Sequence, residues 1–150
     1  MEAGNAGSNA KDLAFFERVS ELNLKHAKII AFGSTRKLGI NAADDRNLKS
    51  LLSANTEAVA IFGKSWDYQV TDILRTTLEE NLAMISDTIA YLKQQGKEVV
   101  FDAEHFFDGY KANADYAMLS LKAAADAGAD VLCLCDTNGG TFPEEVLQLT

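Results

Sequence analysis

Short apolar segments alternate along the chain with longer segments in which apolar residues recur at helical spacing. Four segments have the length and the continuous apolar character of buried strands: residues 28–32, 58–62, 98–101 and 131–135. Four others are predicted helices, the third with leucine and isoleucine along one face: residues 11–24, 42–54, 71–95 and 113–127. The predicted order of elements is therefore βαβαβαβα.

Glycine and proline positions support these boundaries. Gly96 and Gly128 follow the third and fourth predicted helices, where a left-handed residue commonly ends a helix, and each leads directly into a strand. Pro143 is the only proline, and it suits the first turn of a helix because that position needs no backbone N–H. A further helix is predicted to begin there.

Strands that are apolar throughout and alternate with helices predict a parallel sheet covered by helices. Two α/β architectures fit this order, a doubly wound sheet and a (β/α)8 barrel. Both place functional residues in the loops at the carboxyl ends of the strands. The loops expected there are residues 33–36, 63–67, 102–108 and 136–140.

Acidic and hydroxyl side chains stand at two of these strand ends. Asp102 and Glu104 share one face of a strand, because side chains two residues apart point the same way. The same alternation places Thr137 on the face of Cys133 and Cys135. If this face lines a barrel, its carboxyl end is a catalytic position. The alternative interpretation is a hydrated strand end, and composition favours neither.

Composition and charge restrict the partners. The chain has 150 residues, of which 47% are hydrophobic and 24% charged, enough for one domain-sized core. Its net charge of -8 opposes binding to nucleic acid or to an anionic membrane, because the Coulomb interaction would be repulsive. No apolar run approaches the roughly 20 residues of a membrane span, and residues 1–12 lack a signal-peptide pattern. We expect a cytoplasmic protein that acts on small molecules.

The cysteines and histidines do not form a recognisable metal motif. Cys133 and Cys135 have neither the CxxC spacing of redox pairs nor that of paired zinc knuckles, and we expect two buried, reduced thiols. His26 and His105 are the only histidines and lie in different βα units at no chelating spacing. His26 is expected at the surface, whereas His105 either orients a substrate or caps the strand.

Five motifs occur in the order and at the spacing of successive βα units. They are EAGNAGSNAKD, AFGSTRKLGINAADDRNLKSLL, IFGKSWDYQVTDIL, VVFDAEHFFDGYKAN and CLCDTNGGTFP. Across essentially all 150 residues they resemble the citramalate synthase branch of the 2-isopropylmalate synthase and homocitrate synthase family. The resemblance implies a metal-dependent TIM barrel that condenses acetyl-CoA with a 2-keto acid, pyruvate being the acid of this branch.

The resemblance also implies roles for five residues. Glu104 matches the active-site glutamate, which takes part in acid and base steps around the keto acid, and Asp102 would line the same pocket. Thr137 matches the threonine that hydrogen-bonds the keto-acid carboxylate, and Asn138 belongs to the same loop. Gln69 stands where relatives often carry histidine, and we expect it to contact substrate.

The metal-binding motifs of the family are missing from this sequence. The resemblance implies Mg²⁺, Mn²⁺ or Zn²⁺ held by an Arg-Asp pair and a His-x-His motif, and neither motif occurs here. Residues 1–150 are therefore expected to be part of a catalytic (β/α)8 domain, from the end of its strand 2 to the start of its helix 6. The first, seventh and eighth strands would lie elsewhere. We expect this piece to be inactive alone and the full-length enzyme to be a homodimer.

The implied product is (R)-citramalate, an intermediate of isoleucine and leucine biosynthesis. Two other functions remain open at this point. An aldolase or lyase of the same metal-dependent superfamily would cleave a related carbon–carbon bond. A non-catalytic, flavodoxin-like binding module would need a phosphate-binding glycine loop or an acidic triad at the first βα turns, and neither is evident.

Overall fold

The computed structural model describes residues 1–22 and 24–150 and contains one parallel sheet with helices. The strands of this sheet are β1 (Ile30–Ser34), β2 (Ala58–Lys64), β3 (Glu98–Glu104) and β4 (Val131–Leu134). The α-helices of the described residues are α1 (Ala10–Val19), α2 (Arg46–Ser53), α3 (Leu78–Gln94), α4 (Phe106–Ala112), α5 (Ala114–Asp126) and α6 (Pro143–Leu149). The predicted alternation of strands and helices is confirmed.

The strands lie side by side in chain order. β1 pairs with β2, β2 with β3 and β3 with β4, all parallel. Before β1, Glu2 forms a parallel bridge with Ile30, so a further short stretch of chain joins the same edge. A doubly wound sheet reverses its strand order at a switch point, whereas a barrel keeps sequential order. The sheet is therefore part of a (β/α)8 barrel.

The two faces of the sheet differ in burial. On the outer face Val59, Ile61 and Phe101 are fully buried and join one core with Ile85 and Ile89 of α3. The opposite face, which we call the inner face, carries the aromatic, charged and thiol side chains: Phe32, Phe62, Lys64, Asp102, Glu104, Cys133 and Cys135. The helices thus cover the outer face and leave the chemically reactive side chains on the other.

The predicted helix at residues 71–95 is interrupted. A π-helical turn covers Gln69–Leu74, Arg75 adopts a left-handed conformation with φ 57°, and α3 begins only after Thr77. The Thr77 hydroxyl accepts the backbone N–H of Glu80, which caps α3. The prediction of a single helix was wrong. Apolar residues recur at helical spacing on both sides of Arg75, so the sequence pattern does not reveal the break in the helix there.

The predicted loop at residues 102–108 is also wrong. β3 continues to Glu104, and α4 begins after a single left-handed residue, His105, with φ 53°. Phe106 and Phe107 are buried in the core, which holds α4 against the sheet. At Gly109 a Cβ atom would lie 2.4 Å from the carbonyl oxygen of Ser65, so only glycine permits this close packing.

Two other predicted helices have different boundaries in the structure. The predicted helix at residues 11–24 ends at Val19, and Asn23 lies outside the described residues. The segment 42–54 divides into a 3-10 turn, Ala42–Asp44, and α2. The left-handed glycines, Gly96 and Gly128, and the helix that begins at Pro143 are confirmed. Within the described residues, no helix combines the length and apolar character needed to cross a membrane.

Candidate functional site

An ion pair links the last residues of β2 and β3. Lys64 and Glu104 are register partners, and the Nζ atom of Lys64 forms a salt bridge with Oε2 of Glu104. Both side chains are largely buried, at 17% and 23% exposure. Lys64 was not among the predicted site residues. Each of the two strands has seven residues, and their first residues are paired, so Lys64 and Glu104 lie side by side at their ends. The sequence alone does not reveal this pairing.

The loop after β4 is tied to the end of β3. The Thr137 hydroxyl oxygen accepts the backbone N–H of His105 at 2.9 Å. The backbone N–H of Phe106 donates to the carbonyl oxygen of Cys135 at 3.2 Å. Thr137 therefore lies at the same end of the sheet as Glu104, which precedes His105 directly.

Asp108 on α4 connects His105 with Asn138. Its Oδ2 atom lies 3.1 Å from Nδ1 of His105 and accepts the side-chain N–H of Asn138 at 2.9 Å. The His105 ring is also 5.9 Å from the ring of Trp66, centre to centre. Asp108 thus positions Asn138 in the site. Asp108 was not among the predicted site residues. The signal that could have found Asp108 is its position three residues after His105, one helical turn away.

Gln69 lies on the π-helical turn that follows β2. Its backbone N–H donates to the carbonyl oxygen of Trp66 at 3.0 Å. Its side-chain Oε1 is buried and has no hydrogen-bond partner among the described residues. A buried acceptor without a donor costs free energy. No hydrogen bond in the described structure joins Gln69 to Lys64 or Glu104.

Asp102 lies two residues before Glu104 on the inner face, as expected. Its neighbour in the register is Cys133 on β4, and the described residues give it no ion pair with Lys64. Burial, with the negative charge of Glu2, raises the pKa of the Asp102 carboxyl. The five predicted residues therefore divide into one group at the strand ends, with Asp102 beneath it and Gln69 on a separate turn.

The prediction that both cysteines are buried was wrong. Cys133 is exposed and Cys135 half-buried, and their sulfurs lie 4.0 Å apart as free thiols. The reason is that β4 is the last strand of the described sheet. The thiol groups are nonetheless partly covered: burial and then Asp102 raise the pKa of Cys133, while burial and Cys133 raise the pKa of Cys135 to about 12.

The described residues do not fit a Mg²⁺ or Mn²⁺ site. His26 is exposed, and His105 contacts Asp108. The cluster of possible ligands that the described residues form is Asp102 with Cys133 and Cys135. Mg²⁺ and Mn²⁺ prefer oxygen ligands, whereas two of these three ligands are thiols.

A cleft of about 340 Å³ lies beside Lys64 at the carboxyl ends of β1 and β2. Its lining includes Ser34, Thr35, Phe62, Lys64, Leu74 and Met84. This volume is in the range of pockets for small molecules. Three of these side chains, Phe62, Leu74 and Met84, are apolar, and Lys64 is charged. The cleft can therefore hold a small apolar group next to a charged one.

Parallel strands in chain order, with charged and hydroxyl groups at their carboxyl ends, are typical of the active-site end of TIM-barrel enzymes. The HMGL-like family model matches residues 1–149, and the chain belongs to this family.

Curated relatives are similar over the whole chain. It is 53% identical over 150 residues to (R)-citramalate synthase of Aquifex aeolicus, and 54% identical over 149 residues to that of Geobacter sulfurreducens. These alignments cover 100% and 99% of this chain and 28% of each relative, so the chain spans just over a quarter of their length. The resemblance to the citramalate synthase branch is confirmed.

A solved structure supports the fold. The HMG-CoA lyase of Bacillus subtilis superposes with a TM-score of 0.67, covering 90% of this chain and 44% of the lyase. The sequences are only 12% identical, so this similarity concerns the fold alone. The partial α/β barrel predicted from the sequence is confirmed.

Proposed function

We propose that this chain is part of the catalytic barrel of an acyltransferase that condenses acetyl-CoA with pyruvate to give (R)-citramalate. The observation that carries the proposal is the Lys64–Glu104 ion pair beside Thr137, at the end of the sheet where barrel enzymes hold their active sites. The similarity to (R)-citramalate synthases over the whole chain supports this choice of reaction.

The proposed reaction has two stages. A proton leaves the methyl group of acetyl-CoA, the resulting carbanion forms a bond to the carbonyl carbon of pyruvate, and the carbonyl oxygen takes up a proton. Water then cleaves the thioester, which releases citramalate, CoA and a proton. Glu104 would donate and accept protons at the keto acid. Lys64 would hold the Glu104 carboxylate in position through their ion pair.

Thr137 is suited to bind the carboxylate of the keto acid. Its oxygen already accepts the backbone N–H of His105, so the hydroxyl hydrogen is free to donate to a substrate. Asn138 is held by Asp108 beside it, and Gln69 offers a buried acceptor for a substrate donor. Asp102 would line the layer below rather than contact the keto acid directly.

The two other functions have less support. The curated relatives that are about 50% identical over the aligned residues are (R)-citramalate synthases, and the lyase resembles this chain only in fold. A flavodoxin-like binding module would show a reversal of strand order, and the strands here are sequential.

Further details of the proposal come from the resemblance. Residues 1–150 would form one section of the catalytic domain of a cytoplasmic homodimer, with its divalent metal bound by residues outside this section. Its product would serve isoleucine and leucine biosynthesis.

A chimera tests the proposed reaction. This chain would replace the matching segment of the Aquifex aeolicus (R)-citramalate synthase, with which it shares 53% of its residues. We expect pyruvate-dependent release of free thiol from acetyl-CoA and formation of (R)-citramalate, measured by chiral chromatography. A folded chimera that releases thiol only with another keto acid would contradict the choice of substrate, and one that releases none would contradict the reaction.

A further inference from the structure

Three side chains of types that can bind a metal ion meet on the inner face. Asp102 and Cys133 are register partners on β3 and β4, and Cys135 follows on the same face. One carboxylate oxygen and the two sulfurs all lie within 4.8 Å of one another. These three groups come from two strands, so their proximity depends on the sheet register.

The spacing of the sulfurs is close to that of a tetrahedral metal site. The Sγ atoms of Cys133 and Cys135 are 4.0 Å apart. Zinc–sulfur bonds of about 2.3 Å at a tetrahedral angle would place two sulfurs about 3.8 Å apart. Binding of a metal ion would therefore require the thiols to move by only a few tenths of an ångström.

Asp102 supplies an independent reason for a cation at this place. The residue is nine-tenths buried, with 9% exposure. Its carboxyl shares a hydrogen bond with the Cys133 thiol, and none of the ion pairs among the described residues includes it. The charged group that acts on its pKa, Glu2, is also negative. A buried carboxylate is costly unless a positive group compensates for it, and a bound cation would do so.

We propose that Asp102, Cys133 and Cys135 form a binding site for Zn²⁺, with the fourth position open to water or to an external ligand. Two thiolates and one carboxylate favour a thiophilic ion over Mg²⁺ or Mn²⁺. Its ligands differ from those that the family resemblance implies for the catalytic metal, an aspartate and a His-x-His motif. It rests on the geometry of β3 and β4 and not on the proposed reaction.

Titration of the 150-residue chain with Cd²⁺ tests this site, because Cd²⁺ substitutes for Zn²⁺ and its thiolate complexes absorb in the ultraviolet. The chain would be reduced, freed of metal and kept under argon. We expect a sulfur-to-cadmium charge-transfer band that saturates at one ion per chain and is removed by added Zn²⁺. A folded chain without this band, or saturation at one ion for two chains, would refute the proposed site.

Variants identify the ligands. Cys133→Ser, Cys135→Ser and Asp102→Asn are each expected to lower the affinity for Cd²⁺ at least about tenfold, because each removes one of three ligands. The matched control is Asp126→Asn on α5, whose exposed carboxylate pairs with Lys122 and should leave the affinity unchanged. Circular dichroism would verify folding. The serine variants change a single atom, so they decide the question if the Asp102 variant does not fold, and unchanged affinity in both would overturn the assignment.

Discussion

Lys64 and Glu104 end two neighbouring parallel strands, and their side chains form an ion pair on the inner face of the sheet. The pairing follows from the register, since Ala58 lies opposite Glu98 and each strand has seven residues. One strand thus supplies a cation directly beside a carboxylate that the next strand supplies. This relationship joins two βα units into one site.

Replacement of Glu104 tests its proposed acid–base role. In the chimeric enzyme we expect Glu104→Gln to lower kcat by a factor of about 10² to 10⁴, the usual contribution of a positioned acid or base. KM for pyruvate should change much less, because the amide keeps the shape of the side chain. Steady-state kinetics of thiol release give both values.

The same strand offers a matched control. Glu98 begins β3 and is also paired with a lysine, Lys28, but at the amino end of the sheet. Glu98→Gln is expected to leave kcat within about twofold of the unsubstituted chimera, since it lies far from the carboxyl ends. Equal losses in the two variants would show that the effect of Glu104 is structural.

Lys64 is expected to act as a positioning residue. Lys64→Met removes the cation that holds Glu104, so kcat should fall at least about tenfold, whereas Lys64→Arg keeps a cation and should recover part of the loss. Lys28→Met, which removes the other lysine paired with β3, serves as the control. If Lys64→Arg were as inactive as Lys64→Met in a folded chimera, the charge would not be the reason.

The close packing of α4 on the turn after β2 predicts a stability effect at Gly109. A Cβ atom there would lie 2.4 Å from the carbonyl oxygen of Ser65. We expect Gly109→Ala to lower the free energy of unfolding by about 1–3 kcal/mol, despite the better helix propensity of alanine. Urea unfolding measures the change. Gly140→Ala, where no atom lies within 4 Å of the new Cβ, should be nearly neutral.

Because Tyr116 is buried, we expect the free energy of unfolding to fall in alkaline solution. Burial raises the pKa of this phenol to about 12, and its oxygen accepts the side-chain N–H of Asn81. In the unfolded chain the phenol ionises near its ordinary pKa of about 10. Between about pH 10 and pH 12 the folded state therefore holds more protons, and the free energy of unfolding falls as the pH rises.

Urea unfolding at about pH 9 and about pH 11 measures this loss, which is at most about 1.4 kcal/mol per pH unit. Tyr116→Phe should show a weaker decline over the same interval. Tyr68→Phe, which changes a half-exposed side chain, should keep the full decline. An identical decline in the Tyr116 variant would contradict the assignment.

The 150-residue chain alone is expected to make no citramalate. Its described residues do not fit a Mg²⁺ or Mn²⁺ site, and β4 exposes Val131 and Leu132 at the edge of the sheet. Such an edge favours self-association. The assay is thiol release from acetyl-CoA with pyruvate and added Zn²⁺, Mg²⁺ or Mn²⁺. Turnover by the isolated chain would show that these residues carry a complete site.

The sequence predicted which strands and helices form better than it predicted the residues at which they begin and end. The four strands and the left-handed glycines at positions 96 and 128 follow from short-range patterns, because each depends on residues within a few positions. Helix α4 was missed since a polar, aromatic stretch of seven residues carries little periodicity. Its formation depends on Phe106 and Phe107 reaching a core made by distant segments.

The candidate site was predicted only in part. The alternation of side chains along one strand placed Asp102 and Glu104 on a common face, and the family resemblance indicated Thr137. The partners Lys64 and Asp108 were not selected, because nothing within one strand or loop reveals what lies across the sheet.

By itself the sequence determined the alternation of strands and helices and the chemistry at the strand ends. Local propensity and apolar periodicity depend on neighbours in the chain, so these features could be read without a structure. The tertiary structure alone decided the sequential strand order, the Lys64–Glu104 pair and the approach of Asp102 to Cys133. Each of these results from the register of parallel strands, which is set by the sum of many contacts between distant residues.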